Sequence, residues 1–562
     1  METGPRTPTQ ATSALAEPPL PGDFDAALPV QRPARTLVSW NPSTGRPLEE
    51  VPLADADEID AAVDAAAYAS VLWRGSPREE RSRRLRRLAS AILHRAHEIA
   101  RLIAAEQGKP VTEALALEVL PTLDHLEFLA QHAGRLQSRP IQAPHPLYSH
   151  KSVHDVYEPL GVVALVTPFP LPFALPLVQV GAALAMGNAV VLKPSELTPC
   201  CGLKIAELCE EAGFPEGLVG VVATGREETL HLVAHPRVDK VFFAGATETG
   251  RQVMATAGCA PRPVVLSLGG KHPSIVAADA DVRRAARGVV WGALANAGQN
   301  CGAIERVYVD EHVAAEFVEA VEEEVDGVRV GDPLEKDIDM GPLVSEERVE
   351  AVHRQVTEAV QAGARLLCGG MPMPCPGYFY PPTILLEPPP HARILREETL
   401  GPVIPIVVVD SLERAILLAN DSEYALTASG WTTSAGTADR IMSGVQAGVV
   451  TVNDVLYAFG EPASTWSGYR SSGVGSTHGF AGLREMSRRR FVSYDPCRTE
   501  APVFAFPYDA EAARVADASL QAIHGRSLMR RLLAVGSLIR GRRFRARRRV
   551  ASFLLSILPG HR

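Results

Sequence analysis

Residues 159–192 carry no charged side chain, and no other feature limits the fold of this chain as strongly. A stretch of that length must leave water, either for a bilayer or for a protein interior. Pro168, Pro170, Pro172 and Pro176, together with Gly181 and Gly187, interrupt it. In lipid the resulting turn would leave backbone N–H and C=O groups unpaired. The run therefore reads as a buried strand, Gly161-Val162-Val163-Ala164-Leu165-Val166, then a turn and a buried helix. Short apolar runs follow at 189–192, 218–222 and 238–243, each separated by a helix-length segment. That alternation predicts a parallel sheet with helical crossovers, an α/β nucleotide-binding architecture.

Around this centre, residues 57–72 and 81–107 have helical periodicity. Ile59, Ala62, Val63 and Ala66 share one face of the first, and Leu85, Leu88, Ile92 and Ile99 one face of the second. A second α/β region spans about 267–450. After it, Trp466–Gly482 is rich in glycine and serine, and Phe491-Val492-Ser493-Tyr494 reads as a late strand. A chain of 562 residues exceeds one ordinary core, so two or more domains are expected. Residues 1–35, rich in proline, alanine and threonine and without a basic-then-apolar leader, read as a disordered N-terminal segment.

Composition removes several kinds of chemistry. The eight cysteines follow neither CxxC nor Cys/His ligand spacing, which points to free thiols in a reducing, cytoplasmic setting and to no metal. The 16 histidines show no His-Glu-x-x-His pattern, and no Gly-x-Ser-x-Gly elbow is present. A Gly-x-Gly-x-x-Gly fingerprint is also missing, so an ordinary Rossmann dehydrogenase is disfavoured.

What remains is a thiol and a set of nucleotide-like turns. Cys301 sits in Gly298-Gln299-Asn300-Cys301-Gly302 and is a candidate thiolate nucleophile, although inert buried cysteines are the commoner case. Val190-Val191-Leu192-Lys193-Pro194-Ser195-Glu196 places Lys193 and Glu196 just past a strand end, where parallel sheets bind nucleotides. A carboxylate there accepts from both ribose hydroxyls and repels a 2′-phosphate, so Glu196 favours NAD over NADP. The plainer reading is a strand end with a helix-capping serine. Gly245-Ala246-Thr247-Glu248-Thr249-Gly250 joins a strand to a helix. Gly245 lets the backbone approach a pyrophosphate at the helix start.

These segments, with Glu106-Gln107-Gly108-Lys109-Pro110, Leu268-Gly269-Gly270-Lys271, Glu397-Glu398-Thr399-Leu400-Gly401-Pro402 and Val452-Asn453-Asp454, resemble the NAD(P)-dependent aldehyde dehydrogenase superfamily over residues 35–497. The resemblance implies a Rossmann-type NAD-binding domain at 36–266, with part of a small β oligomerisation arm near 140–158. It further implies a catalytic α/β domain at 267–455 and a return segment with the rest of the arm at 456–500. Homodimers or homotetramers are implied as well. By the same likeness Cys301 is the nucleophile, Lys193 and Glu196 hold the adenosine ribose, Gly245 and Gly250 line the phosphate turn, and Glu398 holds the nicotinamide ribose. An aldehyde would add to the thiol, lose hydride to NAD and become a thioester.

The pattern also breaks. Ser267 stands where the family carries its general-base glutamate, and a serine hydroxyl cannot take a proton from water near neutral pH. Pro170 stands where an asparagine donates to the oxyanion; losing such a donor costs about 3–4 kcal/mol of transition-state stabilisation. Ala246 replaces a phosphate-binding serine and Leu400 a phenylalanine beside the nicotinamide. Three outcomes stay open. Another carboxylate such as Glu397 serves as base, a thiol such as coenzyme A takes the acyl group, or the chain is a catalytically weak scaffold.

Residues 501–562 form a C-terminal extension of unusual charge. From residue 518 onward there are eleven arginines and no Asp, Glu or Lys. Taking that +11 from the chain's −9 leaves −20 for residues 1–517. Leu528, Leu532, Val535 and Ile539 fall at helical spacing, and an arginine cluster at 542–549 precedes the apolar run 550–558. Nine residues are too few to span a bilayer. The pattern over 526–558 suits a helix lying on an anionic membrane surface, a peripheral attachment. Docking on the acidic body or non-specific contact with nucleic acid are the other readings; no specific nucleic-acid site is expected.

Overall fold

The computed structural model describes residues 35–136, 138–140, 148, 151–495 and 505–540. The N-terminal segment read as disordered lies almost wholly outside the described residues, as do part of the arm near 140–158 and the tail from 541.

Two sheets organise the chain. The first has six strands in the order Gly473–Val474, Val264–Leu268, Lys240–Gly245, Val162–Val166, Ala189–Lys193 and Val219–Val221. All pair in parallel except the first, which returns antiparallel onto Val264–Leu268. The uncharged run becomes its central strand plus the helix Ala174–Met186, buried along its whole length. A helix apolar on every side needs protein all around it, and sheet and flanking helices supply that.

The second sheet has seven strands, Arg365–Cys368, Thr383–Leu386, Val403–Val409, Ile304–Asp310, His272–Val276, Thr427–Trp431 and Val449–Val452. Only the first of these runs antiparallel to its neighbour. Its core packs the helices Val282–Leu294 and Ala314–Asp326. The chain passes from Val264–Leu268 of the first sheet to His272–Val276 of the second through Gly269-Gly270-Lys271. Ser267 therefore sits at the junction of the two sheets.

A separate antiparallel sheet joins Arg488–Tyr494, Ser152–Glu158 and Ser138–Pro140. The helices Ala510–His524 and Leu528–Arg540 pack on each other. One expectation changes: the stretch read as a single helix over 81–107 is two, Arg78–His94 and Ala96–Gln107. Arg95 leaves helical dihedrals (φ −107°, ψ 15°), and its guanidinium pairs with Glu98, Glu207 and Glu211.

Candidate active site

A cleft with about 1450 Å³ of empty space, counted out to its open mouth, lies over the carboxyl ends of the first sheet's strands. Strand order sets its layout. Lys193 ends one strand, Gly245 another and Ser267 comes at the end of a third, each adjacent in the sheet or one strand removed. At a strand spacing of about 4.8 Å, the first and last of these stand roughly 14 Å apart. An extended ligand would thus meet three different environments in turn.

At the first, Lys193 is buried and its Nζ donates to Glu196 Oε1 at 2.9 Å, while Glu196 is half exposed. Arg226 lines the same cleft. In the middle, Gly245 (φ +154°) turns the chain into the helix Thr247–Ala257. No side chain caps that helix at Ala246, so its first N–H groups carry their positive partial charge to the cleft. Gly250 does not line the cleft. A Cβ there would lie 2.4 Å from Leu268 Cδ2, so this glycine lets the helix lie against the strand.

At the third, Cys301 follows a strained turn. Asn296, Ala297 and Gly298 all have positive φ (57°, 52° and 71°), and a Cβ on Gly298 would lie 2.1 Å from the Gly401 carbonyl oxygen. Gln299 locks the turn, donating to Asn296 O at 3.1 Å and accepting from Val344 N at 2.9 Å. Asn300 Oδ1 accepts from Gly302 N at 3.1 Å. The Cys301 thiol faces the cleft, and burial followed by the nearby Glu398 charge pushes its pKa up to about 12. Left alone it is a thiol, not a thiolate; a cationic neighbour would shift that balance.

Glu398 shares this part of the cleft with Ser267. Gly270 N donates to its Oε1 at 3.3 Å, and a Cβ on Gly269 would lie 2.9 Å from its Oε2. Burial, then the charge of Glu305, raises Glu398 to about 7. Glu305 and Arg348 are participants that the sequence did not single out. Glu305 accepts from Lys271 Nζ at 2.8 Å and from the backbone N–H groups of Thr399 and Leu400. Arg348 donates to the Thr399 and Leu400 carbonyls. Together they fix the loop presenting Glu398 and Leu400. Neither sits in a motif; Glu305 is marked by its burial and Arg348 by its place on the cleft lining. Glu397 faces elsewhere: it pairs with Arg393 at 2.7 Å, which holds its carboxyl below the usual range, and it does not line the cleft.

Pro170 lines the cleft with no side-chain donor. Its carbonyl is gripped from behind by Lys109 Nζ (3.2 Å) and Asn296 Nδ2 (3.1 Å). Lys109 in turn pairs with fully buried Glu118, which accepts from Phe173 N and Ala174 N at 2.9 and 3.0 Å. Among the described residues no group of His, Cys, Asp or Glu is placed to hold a metal ion.

A strand-end lysine–carboxylate pair, the start of a helix and a thiol thus share one cleft at the carboxyl ends of a parallel sheet. Comparison with known proteins shows the family. The aldehyde dehydrogenase family model matches residues 30–492. Lactaldehyde dehydrogenase of Escherichia coli is 36% identical over 481 residues, covering 83% of this chain and 99% of that protein. Its crystal structure superposes with a TM-score of 0.79, covering 83% and 96% of the two chains. Phenylacetaldehyde dehydrogenase of Pseudomonas fluorescens is 37% identical over 466 residues, 81% and 92% of the respective lengths. An aldehyde dehydrogenase of Bacillus cereus, solved as an NAD+ complex, shares 33% identity with a TM-score of 0.79, covering 82% and 94%. The chain belongs to the aldehyde dehydrogenase family. It is an oxidoreductase, and its general reaction is the oxidation of an aldehyde with a nicotinamide cofactor.

Proposed function

We propose that Cys301 is the nucleophile, that NAD is the preferred cofactor, and that the thioester is released to water slowly, with Glu398 as base. One observation carries the reading: the Cys301 thiol, Glu398 and the Lys193–Glu196 pair line a single cleft. Glu196 would accept from ribose hydroxyls, and the helix start after Gly245 would receive the pyrophosphate. Glu398 would hold the second ribose up to hydride transfer and be free to act as base only once the reduced cofactor has let it go. The bound cofactor supplies a hydride acceptor. Arg226 on the same lining is the feature that favours a 2′-phosphate instead, so NAD and NADP must be compared directly.

The Cys301 sulfur adds to the aldehyde carbon as its proton leaves, and the carbonyl oxygen becomes an oxyanion. Pro170 brings no side-chain donor to that oxyanion, so acylation is slow relative to a site that has one. Loss of hydride from the same carbon leaves a thioester. For hydrolysis, water must lose a proton as it attacks. The cleft lining contains two carboxylates, Glu196 and Glu398, and only Glu398 stands beside Cys301. Its elevated pKa matches a base working near neutrality. Ser267 favours a second reading, in which a thiol such as coenzyme A accepts the acyl group without needing a strong base. A catalytically weak scaffold is the third.

Following NADH formation with purified protein, NAD and aromatic or aliphatic aldehydes, with and without coenzyme A, separates these. A burst followed by slow turnover supports hydrolysis through Glu398. Turnover only with the thiol moves the assignment to acyl transfer. Silence in both, with Cys301 unreactive to iodoacetamide, ends the enzymatic reading. Assembly as a homodimer or homotetramer through the three-stranded sheet belongs to the same proposal.

A further inference from the structure

The C-terminal hairpin has a core of its own. Val515, Ala518 and Ala522 of the helix Ala510–His524 bury against Ala534, Val535 and Leu538 of the helix Leu528–Arg540, and no residue from the two large sheets joins that cluster. The second helix is apolar on its other side as well. Leu528, Met529, Leu532 and Leu533 are 59%, 67%, 56% and 68% exposed. At 100° per residue they form a stripe turned well over a right angle from the buried one. A helix apolar on two sides is ordinarily covered on both. Here one side is covered by its partner helix and the other faces outward.

Charge decides what covers it. Residues 518–562 hold eleven arginines and no Asp, Glu or Lys. A second copy of the hairpin would bring arginines against arginines, an unfavourable juxtaposition. An acidic protein surface would satisfy the guanidinium groups but not four large apolar side chains. The headgroup region of an anionic bilayer offers both, an acyl boundary for the stripe and phosphates for the arginines. Thirteen residues rise only about 20 Å, short of the roughly 30 Å hydrocarbon core, so the helix lies in the surface. Among the described residues no helix is long and apolar enough to cross a membrane.

We propose that the hairpin 510–540 docks this enzyme on anionic phospholipid surfaces, inserting Leu528, Met529, Leu532 and Leu533 to the acyl boundary while Arg526, Arg530 and Arg540 meet headgroups. Docking is independent of whether Cys301 turns over. The test floats the full-length protein with vesicles of phosphatidylcholine alone or mixed with phosphatidylserine, at low and high salt. The expected result is recovery with the phosphatidylserine vesicles, weakened by salt. Recovery should fall at least tenfold in both the Leu532→Ser/Leu533→Ser and the Arg526→Gln/Arg530→Gln/Arg540→Gln chains. These side chains lie outside the hairpin core, and an unchanged melting temperature confirms that each variant is folded. Equal flotation of wild type and both variants overturns the proposal. So does absence of flotation, whether or not the leucine variant changes the oligomeric state; such a change would assign the stripe to self-association.

Discussion

At the residue scale, the site turns on how Glu398 and Cys301 influence each other. Glu398's charge is the second cause, after burial, of the high thiol pKa, and its own pKa near 7 makes that charge appear around neutrality. Glu398→Gln removes the negative neighbour, so the thiol pKa drops and alkylation of the cofactor-free enzyme by iodoacetamide at pH 8 speeds up. Thioester hydrolysis should move the other way. A base must be unprotonated, so wild-type turnover rises as pH climbs through about 7, and the glutamine variant loses that rise. One substitution with opposite effects on two rates is hard to imitate by general damage. Ser267 gives the complementary test. Ser267→Glu places a carboxylate on the cleft lining, and steady NADH production relative to the burst should increase by about 10²-fold, the low end of general-base effects. An unchanged ratio would mean that deacylation is not limiting.

At the element scale, much of the family pattern serves architecture rather than chemistry. Glu106 accepts from Ser39 Oγ, Cys200 N and Cys201 N, and so caps the helix Pro199–Glu211. Glu118 caps the helix Ala174–Met186 in the same way and reaches it from a single π turn, Leu115–Val119. That wide turn aims the carboxylate inward, where it also meets Lys109. Breaking a buried pair strands the remaining charge, at a cost of about 3–5 kcal/mol. Glu118→Gln keeps the shape and loses the charge, so denaturant unfolding should show destabilisation of that order. Because Lys109 also grips the Pro170 carbonyl, the variant should slow acylation more than its lost stability explains. The sequence showed the strands, the helix starts and the thiol because periodicity, glycine turns and residue chemistry are local. It hid Glu118, Glu305 and Arg348 because, apart from the Lys109–Glu118 pair, the contacts that give them purpose span 34 or more positions of the chain. It also offered Glu397 as a base, where one residue's rotation turns that side chain to Arg393 and leaves Glu398 facing the cleft.

At the scale of the whole molecule, the unsolved surface is the strand Arg488–Tyr494. It closes one side of the three-stranded sheet and has no neighbour beyond it among the described residues. Phe491 and Tyr494 on it are 62% and 68% exposed. An open edge strand with large aromatic side chains invites pairing with another chain, and soluble proteins normally block such edges. Arg489 and Arg490 spend their charges on Asp155 and Glu158 of the neighbouring strand, so charge does little to keep a second copy away. The strand therefore suits an interface between copies, in line with the homodimer or homotetramer proposed above. Light scattering on the eluting protein should give a mass of two or four chains at micromolar concentration. Phe491→Asp puts a charge into the middle of that edge and should shift the mass toward one chain. The cleft lies on the other sheets, so NAD binding by the smaller species should persist. A wild-type protein that elutes as a single chain, or a variant whose mass is unchanged, would mean that this edge is not where copies meet.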